Sequence, residues 1–143
     1  MKLEWVILAE GLGQDSKGAV TAIGLNQNIL ISPTLPASTK RAVLAHFVED
    51  GTSLSAGQQF TFRISFISPS GKVISAQTGS APLIVPPWAD LPIAIDMPAE
   101  MMLNCSEYGT HRIEVSMELP DGDEIKGHVD FYVREKAPPI PQP

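Results

Sequence analysis

Three histidines, one cysteine and a scatter of carboxylates are the side chains of this sequence with chemistry to offer. Written as a hairpin, the segment from His111 to Val133 sets His111 opposite Phe131 on an apolar face. The same register sets His128 opposite Glu114 on a polar face. Histidines on opposite faces of one sheet cannot share a metal ion, and His46 belongs to another element. No metal centre is expected. Asp121-Gly122-Asp123-Glu124 gathers three carboxylates, but a calcium loop alternates oxygen ligands over about 12 residues and closes on a glutamate. A hairpin turn with solvated charges accounts for these four residues. Glu10, Glu49, Asp50, Asp90 and Glu107 fall in loops or at strand ends, and general acid–base work needs two acids converging on one cleft. Cys105 has no neighbouring base to make its thiolate, and Glu107 opposes one. Neither a nucleophile elbow, a phosphate loop nor a dinucleotide fingerprint is present. No catalytic residue and no cofactor are expected.

Binding chemistry is better represented. Pro86-Pro87-Trp88 holds a tryptophan on a stiff, irregular segment, the kind of aromatic anchor enriched at interface centres. The alternative reading is that Trp88 plugs one end of the fold. Tyr108 is a second aromatic candidate, which with Trp88 and nearby acids would suit a small ligand or a carbohydrate. Trp5, embedded in the opening apolar run, reads as core.

The elements that must position these groups are written most clearly in two segments of the same grammar. Gln59–Phe66 and His111–Glu118 alternate apolar and polar residues, and each leads through a Pro-x-Gly turn into a second strand. Proline presets the second position of a type I turn, and glycine accepts the left-handed conformation after it. In the second hairpin Met117 then faces Ile125, Ile113 faces Val129, and Arg112 faces Asp130. A slip by one residue would mix the faces. The same construction in the first hairpin pairs Phe66 with Ile74, Ile64 with Ala76, Ser65 with Ser75 and Arg63 with Gln77. Phe60, Phe62, Ile64 and Phe66 make an apolar stripe, and the second hairpin is the expected cover, packed face to face.

Around these hairpins, residues 3–9, 19–25 and 29–31 read as strands, with a polar loop over 11–18. Segment 40–49 fits a helix burying Val43, Leu44, Phe47 and Val48, or a strand; the β context favours the strand. Five prolines between 81 and 98 assign that stretch to an edge or a crossing between sheets, with Leu91–Asp96 as a short edge strand. Residues 99–107 read as a connection with one helical turn at Ala99–Leu103. The expected fold is an all-β, immunoglobulin-like antiparallel β-sandwich of about 7–9 strands with at most one or two helical turns. One domain would span 1–136, followed by an extended proline-rich tail, 137–143.

A chain of 143 residues, 43% of them hydrophobic, supports one self-sufficient core. Ten basic against 16 acidic residues give a formal charge of −6, which argues against nucleic acid or an anionic membrane as a partner. A lone cysteine permits no intrachain disulfide. The N-terminal run is interrupted by Glu4 and lacks a cleavage-like pattern, and no apolar run approaches the roughly 20 residues of a membrane span. A cytoplasmic location is expected.

Leu3–Gly11 with Ile23-Gly24, Leu91-Pro92-Ile93, and Tyr108–Val115 with the Asp121-Gly122 turn together resemble a bacterial family of small cytoplasmic proteins of unknown function. The resemblance implies a compact sandwich domain and carries over no functional residues. The expected function is a non-catalytic interaction or assembly module, binding a protein partner or itself through an edge strand. A small-ligand or carbohydrate-binding domain is the alternative, and an enzyme assembled from distant loops comes last.

Overall fold

The structure, a computed structural model, describes residues 1–17, 19–50, 54–88 and 90–141. Nine strands run in chain order as β1 (Lys2–Gln14), β2 (Val20–Leu25), β3 (Ile29–Ile31), β4 (Ala37–Val48), β5 (Gln59–Ile67), β6 (Val73–Pro82), β7 (Ala94–Cys105), β8 (Gly109–Glu118) and β9 (Glu124–Arg134). They form two sheets, β2-β1-β4-β7 and β3-β9-β8-β5-β6. The protein is an all-β sandwich, and the described residues contain no helix. Every pairing is antiparallel except β3 on β9, which is parallel. Gly24, near the end of β2, and Asn26, just after it, are both left-handed at φ 66° and 61°, where the chain passes from β2 in one sheet to β3 in the other.

The β8–β9 hairpin has the register expected of it, from His111 opposite Phe131 to Met117 opposite Ile125. Its turn closes with Leu119 N–H donating to Asp123 O at 2.8 Å, while Asp121 Oδ1 accepts from Asp123 N–H at 2.9 Å. The β5–β6 hairpin departs from expectation by one residue. Ile67 faces Val73 but Phe66 faces Ser75, so Ile74 is an extra residue that bulges β6. The apolar stripe of β5 survives because the bulge lies on its partner: Phe60, Ile64 and Phe66 are all buried.

The two hairpins do not cover each other. β5 pairs directly with β8, setting Phe66 beside Ile113 and Ile64 beside Val115, so both stripes belong to one continuous sheet face. The cover is the other sheet, which contributes Leu8, Val43, Phe47, Met97, Met101 and Leu103 to the same core. Segment 40–49 is accordingly strand, alternating Val43, Ala45 and Phe47 inward. Residues 99–105 are strand too, not a connection with a helical turn. β7 pairs with β4 without interruption from Ala94 opposite Val48 to Cys105 opposite Ala37. Pro98 is tolerated because β7 is an edge, where one side of the backbone needs no partner. β1 likewise runs on to Gln14 through the expected loop, and Asp15 Oδ1 closes the turn by accepting from Lys17 and Ala19 N–H at 2.8 and 2.9 Å.

Trp5 is not core. Leu3 faces Phe47 and Trp5 faces His46, which makes Glu4 an extra residue and turns the next side chain outward. Trp5 is 41% exposed and stacks on the His46 ring with centroids 5.1 Å apart. Cys105 is fully buried, and desolvation pushes its thiol up to about 11, which keeps it protonated and inert.

His111 is the one histidine in the core, stacked on Phe66 at 5.1 Å with its Nε2 buried and lacking a hydrogen-bond partner. Desolvation lowers its basicity, outweighing the Gly109 carbonyl and the charge of Glu107. The folded protein therefore resists taking a proton that the unfolded chain accepts near pH 6.5. Stability on this account is complete above about pH 6.5 and falls as pH drops from there towards the lower folded value. Thermal unfolding of wild type and His111→Phe between pH 7.5 and 5 checks this. The variant's midpoint should fall less on acidification, and parallel losses would refute the assignment.

Candidate functional site: the open edge of the sandwich

The three histidines occupy three separate environments. His111 is in the core, His128 is on the outer face of the β9 sheet, and His46 is on the outer face of the β4 sheet. His46 Nδ1 meets Asp96 Oδ1 at 2.5 Å, and its Nε2 faces Glu4 Oε2 at 3.6 Å. A histidine–aspartate pair acts as a general base only when the far nitrogen meets a hydroxyl, thiol or water on the reaction path. Here that nitrogen faces a second carboxylate. Among the described residues no group of three or more histidine, cysteine or acidic side chains is placed to hold a metal ion.

A cleft of about 340 Å³ lies between the β1–β2 hairpin (Leu12, Gly13, Gln14, Val20) and Pro98–Glu100 of β7. Its one acid, Glu100, is bound to Lys40 at 2.8 Å, and that hydrogen bond and charge hold its carboxyl below the usual range. A carboxylate so engaged is poised neither to accept nor to donate a proton.

Trp88 and Tyr108 stand apart. Trp88 lies on the connection from β6 to β7, at the end of the sandwich where β5 begins. Tyr108 precedes β8 at the end where β5 finishes, and its hydroxyl donates to Ser32 O at 3.0 Å. The nine residues of β5 span roughly 30 Å between those ends. One small ligand cannot touch both. Trp88 is 64% exposed, so it does not plug the core; Pro87 is exposed and Pro86 half-buried beside it.

What the structure does bring together is a groove along the open side of the sandwich. On the other side β1 packs against β9 and closes the layers. Between the edge strands β6 and β7 they stay apart, leaving two adjoining depressions of about 220 and 270 Å³. Phe60, Phe62 and Ile64 of β5 and Met97 of β7 form the floor. Gln77 spans the lips, its Nε2 donating to Glu100 O at 3.0 Å. At the far end the groove reaches Ile84, 83% exposed, on the connection that carries Trp88.

The two lips differ in chemistry. β7 presents Asp96, Pro98 and Glu100, residues that discourage a new strand from pairing. β6 presents no charge, since none occurs between Lys72 and Asp90, and its one proline, Pro82, stands at its last position. The uncharged run was visible in the sequence, although its position on a free edge was not. β6 pairs only with β5. Leu83 N–H donates to Gln58 O at 2.8 Å, and counting back in twos along the ladder leaves the N–H groups of Ala76, Thr78 and Ser80 on the free side. Of the other edges, β3 has three residues, and β2 has six with a left-handed glycine among them.

No protein-family model matches the sequence, and no curated protein matches it.

Proposed function

We propose that this protein is a non-catalytic interaction module that receives an extended segment of a protein chain along β6. The observation that supports this best is the pairing of an uncharged, unpaired edge with an apolar groove beside it. A strand added at β6 gains main-chain hydrogen bonds from Ala76, Thr78 and Ser80. Alternate side chains of that strand then point at Phe62, Ile64 and Met97. Backbone bonds supply affinity and the groove supplies selectivity. Trp88, exposed on the connection that continues past Ile84, keeps its role as an anchor in this reading, whereas Tyr108 has none.

Selection of displayed ten-residue peptides on the purified protein tests the proposal. Bound peptides should alternate apolar residues, and Thr78→Pro should weaken them by about tenfold or more by removing an edge N–H without touching the β5 ladder. Failure to enrich peptides, or binding indifferent to Thr78→Pro, would count against it.

A further inference from the structure

Two neighbouring strands, β1 and β4, do not alternate. Trp5-Val6-Ile7-Leu8-Ala9 and Ala42-Val43-Leu44-Ala45 are apolar without interruption, the composition of strands covered on both faces. The core takes half of each run: Val6 lies opposite Ala45 and Leu8 opposite Val43, and all four pack inward. The residues between them point the other way. Ile7 lies opposite Leu44, and Leu44 opposite Pro98 of β7; Ala9 lies between Ala42 and Leu25 of β2. Ile7 and Leu44 are half-buried there, while Leu25 is 53% and Ile23, further along β2, 55% exposed. Pro98 is shared with the 340 Å³ cleft, where Leu12 and Val20 extend the apolar lining. The outer face of the five-stranded sheet is built differently, from Arg63, Arg112, Glu114, Lys126, His128 and Asp130. One sheet thus turns charge to solvent and the other a contiguous apolar face, which is the mark of an interaction surface.

The charges bordering this face say what it takes. Glu4 and Asp96 flank His46 at the Trp5 end, and Glu100 is bound to Lys40 beyond Pro98, three carboxylates against one lysine. Trp5 is exposed and gives one ring face to His46, which leaves it placed to take a guanidinium or ammonium over the other with Glu4 close by. We infer that the outer face of β2-β1-β4-β7 docks a second protein that presents apolar side chains bordered by arginine or lysine. A second copy of this chain fits poorly, because it would bring together the acidic borders of two chains each carrying a formal −6. An anionic membrane is repelled by the same charge. This surface is separate from the β6 edge and does not rest on the role proposed for that edge.

The test is a fluorescence titration of the full chain carrying Trp88→Phe, which leaves Trp5 as its single tryptophan. The probe is a synthetic amphipathic peptide of leucine and lysine, set beside its leucine–glutamate counterpart. The lysine peptide should shift Trp5 emission to shorter wavelength with saturation, and the glutamate peptide should not. Leu25→Lys and Glu4→Lys, both at exposed positions, should each weaken binding by about tenfold or more. Glu124→Lys changes net charge as much as Glu4→Lys does, but on the five-stranded sheet, and should cost less than about twofold because salt screens charges that far apart. Thr78→Pro should leave this binding intact, so that a failure here and a failure at β6 are told apart. Equal losses from Glu4→Lys and Glu124→Lys, equal binding of the two peptides, or an emission that neither peptide moves would overturn the inference. Self-association in sedimentation that Leu25→Lys abolishes would give the face to a second copy, and binding to phosphatidylserine vesicles would give it to a membrane; either result overturns it as well.

Discussion

Phe66→Ala is expected to cost about 3–5 kcal/mol of unfolding free energy, the range for removing a buried aromatic ring from a core. Phe66 is fully buried between two neighbouring strands, facing Ser75 of β6 on one side and Ile113 of β8 on the other. Its ring stacks on His111 at 5.1 Å and meets Phe131 edge-on at 6.1 Å. Truncation therefore removes the transfer free energy of the ring, leaves a cavity, and strips the imidazole, whose Nε2 has no partner, of its cover. Domains of this size are stable by roughly 5–15 kcal/mol, so the variant should sit close to the folding threshold. Urea denaturation followed by far-ultraviolet circular dichroism measures the loss. Trp88→Ala, at an exposed position, supplies the contrast and should stay within about 0.5 kcal/mol of wild type. A small loss at Phe66 would mean that the two hairpins do not share one sheet face.

The second large effect is at Gly127. This residue lies on the inner side of β9 opposite Val115, where β1 packs against the sheet. A Cβ built there falls 2.1 Å from Leu3 Cδ2 and 3.4 Å from Leu3 Cγ. The glycine is a socket for Leu3, and its value lies in the space it leaves. Gly127→Val should cost about 1–3 kcal/mol through overpacking, because Leu3 must leave its rotamer or the strands must part. Shortening the intruding side chain should restore part of the loss. Leu3→Ala combined with Gly127→Val is thus expected to be less damaging than the sum of the two single changes, as contacting residues are not additive. Additive losses in a denaturation series would show that Leu3 does not fill the socket.

The misread elements share a physical origin. The β8–β9 hairpin was legible in register as well as existence because its turn residues and both stripes agree. Its counterpart slipped by one because a bulge at Ile74 leaves no signature in residue type. Another bulge at Glu4 turns Trp5, read as core from the apolar run around it, to the surface. β7 was obscured by Pro98 and the prolines that precede it, which rule out a central strand but are compatible with an edge. Sheet membership was the larger error. Two amphipathic hairpins bury their stripes equally well face to face or side by side, and local pattern does not choose between those arrangements. The groove was not legible, because it depends on which strands become edges.

The strand order also dictates how slowly this chain must find its structure. Either hairpin can close on its own turn within about 1–10 μs. Neither is covered until strands distant in sequence arrive: β4 pairs residues 37–48 with 94–105, and β5 pairs residues 61–67 with 112–118. Topologies so dominated by non-local pairing fold in milliseconds to seconds. For that interval the chain carries a phenylalanine-rich strand beside an uncharged edge, with the sheet that will shield it still unassembled. The edge proposed above to take up a strand is, in the nascent molecule, a template for aggregation until the second sheet arrives.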